Sequence, residues 1–166
     1  MGEIVEILKE LIRYQTIASR GDELKRVIER VKQWLGHPKI TLFEYESRGK
    51  PSVVAVQASR WEEGKKHLAV FLVGHLDVVD GEPEQFEPRI EGEKLWGRGA
   101  LDMKGSCAVM IHLFRSLAEE GKETGLGLML TTDEEIGSAD GVEYLLKREG
   151  WSADFALIPD GGYDFH

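Results

Sequence analysis

Two stretches of this chain, Leu68–Gly74 and Gly125–Thr132, are apolar without the alternation of a strand that has one face in water. Such runs suit strands covered on both faces, as in the middle of a parallel sheet. Helical stripes fall after each of them. Val109, Met110, Leu113, Phe114 and Leu117 mark a helix over Met103–Leu117, a second helix is expected over Val142–Lys147, and Phe155–Ile158 reads as a last strand. Strand, helix, strand, helix, strand is the order of βαβ units.

The first half adds two amphipathic helices. Ile4, Val5, Leu8, Leu11 and Ile12 recur at helical spacing, as do Leu24, Val27, Ile28, Val31 and Leu35 behind an expected Asp22 cap. Gly36 and Pro38 stop the second. Lys39–Tyr45 and Ser52–Gln57 are β-branched and separated by the turn former Gly49-Lys-Pro51, so they read as a pair of strands. A charged loop over Asp80–Pro88 and a small hairpin of Arg89-Ile90 with Leu95-Trp96 follow. The fold expected is α/β: three layers, α/β/α, around a mostly parallel sheet with an antiparallel portion. A length of 166 residues fits one domain.

Four apolar segments end in a carboxylate or an imidazole: Phe71–Asp77, Trp96–Asp102, Leu128–Glu135 and Phe155–Asp160. In open α/β sheets the carboxyl ends of parallel strands line one crevice, so these distant residues are expected to meet. One imidazole among several carboxylates describes a metal site, and zinc accepts this donor set. His75 and Asp77 lie two apart and share a strand face, so Asp77 can take the imidazole N–H that faces away from the metal. Asp102 follows Gly97-Arg-Gly-Ala, which lets the backbone turn sharply before a helix, and its two oxygens could bridge two cations. Glu134 and Glu135 lie just past a buried strand; one could bind metal and the other shuttle a proton. Asp102 also fits a helix cap, Asp160 a turn, and the Glu134–Glu135 pair a solvated loop. Position at the strand ends favours the metal reading.

Composition excludes several other classes. A net charge of −9 leaves no basic stripe for nucleic acid. The first ten residues carry charges throughout, unlike a signal peptide or a membrane span. The single cysteine, Cys107, permits no internal disulfide and reads as packed helix, so a reducing compartment, the cytoplasm, is expected.

Gly74-His-Leu-Asp-Val-Val79, Leu95-Trp-Gly-Arg-Gly-Ala-Leu-Asp-Met-Lys-Gly105, Thr131-Thr-Asp-Glu-Glu-Ile-Gly137 and Ile158-Pro-Asp-Gly161 together resemble the co-catalytic zinc amidohydrolases. That family includes acetylornithine deacetylase, succinyl-diaminopimelate desuccinylase, aminoacylase and the glutamate carboxypeptidases. The resemblance implies hydrolysis of the amide bond of an N-acyl amino acid or small peptide, with two zinc ions that cobalt or manganese can replace. It implies that His75 and Asp160 bind one ion, Glu135 the other, and that Asp102 bridges them. Asp77 would orient His75, Glu134 would be the general base, and the Asp102–Met103 peptide would be cis. Leu76 stands where the family often has threonine. Family members continue into a lid or dimerisation domain and return with a last histidine ligand. The chain is therefore expected to be residues 1–166 of one metallohydrolase catalytic domain, its first part, without the lid domain and the last catalytic segment and with impaired activity on its own. His166 is a remote candidate for a substitute ligand. Apolar surface left by the missing segment is expected to favour a homo-oligomer. Two other readings stay open: a single-domain di-zinc aminopeptidase and a non-catalytic metal-binding fragment.

Overall fold

Both faces of one five-stranded sheet are apolar, and helices cover each of them. The computed structural model describes residues 2–58, 62, 64–122 and 124–161; His166, the remote ligand candidate, lies outside them. The strands are β1 (Ile40–Ser47), β2 (Lys50–Gln57), β3 (His67–His75), β6 (Leu126–Thr131) and β7 (Ser152–Leu157), in the order β1-β2-β6-β3-β7. A separate hairpin pairs β4 (Arg89–Glu91) with β5 (Lys94–Trp96). β3 is parallel to both its neighbours, β6 and β7, while β2 runs antiparallel to β1 and β6. The sheet is mixed, and β2 alone opposes the direction of the other four strands.

Period-two geometry explains the unalternating runs. Val53, Ala55, Leu72, Leu128 and Leu130 face one core with α1 (Gly2–Arg13), α2 (Gly21–Trp34) and α3 (Gly105–Glu119). Val54, Val56, Phe71, Val73 and Met129 face the other, closed by Leu145 of α4 (Val142–Lys147) and by Trp151. Three helices thus lie on one side and a single short one on the other. None of the helices among the described residues is long and apolar enough to cross a membrane.

Local signals fared unevenly. The two first strands, the hairpin and α4 lie where expected. The Asp22 cap does not form: α2 begins one residue earlier, behind Arg20, with no capping side chain, and Asp22 sits in the first turn, where its charge still suits the helix dipole. The helix expected from Met103 starts at Gly105 instead, because Ala100–Lys104 forms a wide, non-helical turn first. β7 begins three residues before Phe155, drawn by pairing of Ser152 and Ala153 with His67 and Leu68. The loop over Asp80–Pro88 contains a short 3-10 turn at Pro83–Phe86, closed by a capping box between Glu82 and Gln85.

Candidate metal centre

β3, β6 and β7 are parallel neighbours, so their carboxyl ends open on one cleft. His75 is the last residue of β3 and is buried, at 2% exposure. Its Nδ1 lies 3.1 Å from the Asp77 carbonyl oxygen and 3.4 Å from Asp77 Oδ1. The ring is therefore turned so that Nε2 points into the cleft. That nitrogen is 3.1 Å from Asp102 Oδ1, 3.8 Å from Glu134 Oε2 and 4.0 Å from Asp160 Oδ2.

Asp77 is fully buried and serves two partners. Beside His75, its Oδ2 accepts the Glu135 backbone N–H at 3.0 Å, tying the β6 loop to the end of β3. Among the described residues, Asp77 Oδ1 has no hydrogen-bond partner within normal distance, only the nearby imidazole. A buried carboxylate oxygen of this kind is the acceptor that a metal-ligating histidine needs behind it.

The turn before α3 presents Asp102. Gly99 adopts a positive φ of 75°, and a Cβ there would lie 2.7 Å from Val78 Cγ1, so a side chain fits neither the backbone nor the space. The Lys104 N–H then reaches back to the Gly99 carbonyl at 2.8 Å, closing a wide turn with Asp102 at its mouth. The Asp102–Met103 peptide is cis.

Glu134 and Glu135 occupy a 3-10 turn just past β6. Asp133 folds that loop: its Oδ2 accepts the N–H groups of Asp140 and Gly141 at 2.7 and 2.9 Å. Gly141 is required there, since an added Cβ would lie 2.0 Å from Asp133 Oδ1. Asp160 is placed by the neighbouring Pro159, whose carbonyl accepts from the Ser106 hydroxyl at 2.8 Å, at the start of α3.

One donor atom each from His75, Asp102 and Glu135 lies within 4.8 Å of the others, a cluster that can hold a cation. An imidazole nitrogen with carboxylate oxygens is a donor set zinc accepts. The electrostatics agree. Burial works to lower the His75 pKa, but the Asp77 carboxylate beside the ring outweighs it and lifts the group to about 9. Burial, and then the Asp102 charge, raises the Glu135 carboxyl. Carboxylates crowded to their mutual cost are what a cation would relieve.

Five of the six expected residues, His75, Asp102, Glu134, Glu135 and Asp160, gather at this cleft, and Asp77 is buried behind His75. His112 is not among them: its Nδ1 faces Glu3. Cys107 is buried under the cleft, its thiol donating to the His75 carbonyl at 3.2 Å, and burial pushes its pKa up. It is packed rather than reactive. Three supporting residues were not anticipated: Asp133, Lys104 and Thr16, all buried. The first stands next to the acidic pair and could have been suspected. The other two act through contacts between distant segments and leave no local signal.

An α/β domain with an imidazole–carboxylate cluster where parallel strands end has the layout of a strand-end cleft suited to a cation. The family model described as Peptidase family M20/M25/M40 matches residues 71–165, more than half of the chain, and the chain belongs to that family. A succinyl-diaminopimelate desuccinylase of Erythrobacter litoralis is 39% identical over 103 residues, covering 58% of this chain and 26% of its own length. Human carnosine dipeptidase 1 shares the fold at a TM-score of 0.77 and 21% identity, over 96% of this chain and 38% of that one. An M20 family metallo-carboxypeptidase from Sulfolobus solfataricus does so at 0.72 and 24%, over 98% and 38%. The chain spans less than half the length of these relatives.

Proposed function

We propose that this chain is the first part of the catalytic domain of a zinc-dependent amidohydrolase acting on N-acyl amino acids or small peptides. The observation that carries this reading is the His75 Nε2 atom, 3.1 Å from Asp102 and backed by Asp77. His75 and Asp160 would hold one ion and Glu135 a second, with Asp102 between them; cobalt or manganese would serve in place of zinc. Bound zinc supplies Lewis acidity, polarising the scissile carbonyl and making water easier to deprotonate.

The chain's own groups do the rest. Asp77 holds the imidazole in the orientation that aims Nε2 at the cleft. Glu134 is half-exposed, so its carboxylate reaches both solvent and the reacting centre. It takes a proton from the attacking water and delivers it to the departing amine nitrogen. The test is turnover of N-acyl amino acids by the zinc-loaded polypeptide, with Glu134→Gln expected to lower it by about 10²–10⁴-fold, the usual worth of a general base. Zinc binding with turnover indifferent to Glu134 would leave a metal-binding module instead.

A homo-oligomer is part of this reading, and one surface suits it. The outer edge of β7 has no strand beside it among the described residues, and Phe155 and Leu157 there are exposed. Ile158 and Leu146 continue this apolar surface along an open groove of about 440 Å³ beside His75 and Glu134. An uncovered apolar edge pairs readily with another copy. Sedimentation velocity is expected to show dimer growing with concentration; monomer throughout would count against it. The working compartment proposed is the cytoplasm, where the lone Cys107 stays reduced, and recovery of the polypeptide from a secreted fraction would contradict this.

A further inference from the structure

The loop between α1 and α2 lies far in sequence from every residue of the cleft, yet it grips both backbone segments that build it. Thr16 is fully buried. Its hydroxyl donates to the Leu76 carbonyl at 2.5 Å, and its own carbonyl accepts the Val78 N–H at 3.1 Å. These two bonds bracket Asp77, the residue that backs His75 and ties down Glu135. Two residues earlier, the Tyr14 carbonyl accepts from Lys104 Nζ at 2.9 Å, where the buried lysine closes the turn that carries Asp102. The loop is itself anchored, with the Gln15 N–H on Glu23 at 3.2 Å and the Ala18 carbonyl on Lys50 at 2.6 Å.

We propose that Thr16 is a positioning residue of the metal centre: its hydroxyl and carbonyl fix the Leu76–Val78 backbone so that Asp77 can orient His75. The proposal rests on the metal-site reading above. Past the end of β3, Leu76 still pairs with Thr131, but Val78 takes its bond from the Thr16 carbonyl. Without the Thr16 hydroxyl the buried Leu76 carbonyl loses a donor, and the turn is free to rotate Asp77 away from the ring. Outer groups that orient ligands are worth about 10–100-fold in metal affinity.

The test is cobalt binding, followed by affinity and by the visible absorption band that reports ligand geometry. Thr16→Val keeps the shape and removes the hydroxyl; it is expected to weaken cobalt about tenfold or more and to alter the band. Thr16→Ser keeps the hydroxyl and is expected to restore both. Ile40→Ala, in the core at the end of β1 that pairs with Gln57, away from the cleft, serves as a control that lowers stability without touching the strap. A second readout needs no variant. By linkage, saturating zinc should slow exchange of the Val78 amide more than that of the Val54 amide in β2. The proposal is overturned if Thr16→Val binds cobalt as the unaltered chain does, or if Ile40→Ala weakens it equally. It is overturned too if the Val78 amide gains no more protection than Val54, the deciding result should Thr16→Val not fold. An unaltered chain that binds neither cobalt nor zinc refutes the metal-site reading itself, a distinguishable failure.

Discussion

Asp102→Ala is expected to reduce the zinc affinity of the chain by more than the roughly 10–100-fold that losing an outer, orienting group costs. The Asp102 oxygen lies 3.1 Å from His75 Nε2 and belongs to the three-donor cluster, so its removal deletes a donor rather than loosening one. Folding should not suffer in parallel. The Asp102 side chain is 56% exposed, and its charge is among the influences that raise the Glu135 carboxyl. Removing it relieves crowded negative charge in the metal-free chain. A chromophoric chelator competition for zinc, read beside a urea melt of the metal-free protein, separates the two effects. Unchanged affinity would remove Asp102 from the site.

The same titration has a pH dependence of known sign. Zinc requires neutral imidazole, while His75, lifted to about 9 by Asp77 against the pull of burial, carries a proton at neutral pH. Binding must displace that proton, so affinity is expected to climb by up to about tenfold per pH unit between pH 6 and 8. Stability of the metal-free chain runs the other way. A group with a raised folded pKa contributes fully below its unfolded value, near 6.5, and that contribution is lost as pH rises through about 9. Affinity that is flat over this range would mean that His75 is not a ligand.

What could be read from the sequence was what local chemistry dictates. The apolar runs of β3 and β6 demand cover on both faces, and they receive it from α3 on one side and from Trp151 and Leu145 on the other. Placing strand ends at a common margin then brought His75, Asp102, Glu134, Glu135 and Asp160 together without any knowledge of loop geometry. Boundaries that depend on competition were misjudged. α3 starts late because the Gly99–Lys104 turn takes the backbone first, and Ser152–Asp154 joins β7 because β3 offers it partners. The Thr16 and Lys104 contacts span 60 and 90 residues, and no pattern within a window can reveal them. Nor does any pattern distinguish the two roles of Asp77, which come from a neighbouring strand's loop arriving at its second oxygen.

Trp151→Ala is expected to cost about 3–5 kcal/mol of folding free energy, a large share of the about 5–15 kcal/mol typical of a domain. Trp151 is 2% exposed and sits edge-on to Phe43 and Phe71, with ring centroids 5.3 and 5.7 Å away. Its indole N–H donates to the Tyr45 hydroxyl at 3.0 Å, and Lys66 Nζ lies 5.7 Å from the ring centroid. Truncation would leave a cavity among all of these partners. The consequence extends beyond stability, because α4 is only six residues long and cannot persist without tertiary support. The Trp151 backbone N–H also closes on the Leu145 carbonyl of α4, at 3.1 Å. Loosening α4 releases the Gly141 end of the loop that Asp133 holds around Glu134 and Glu135. Urea unfolding should therefore show a much lower midpoint for Trp151→Ala, and zinc affinity should fall although the indole is no ligand. Trp151→Phe, which keeps most of the apolar contact but loses the N–H bond to Tyr45 and part of the ring volume, should recover most of both. A stability loss below about 1 kcal/mol for the alanine variant would show that this side of the sheet is held by something other than Trp151.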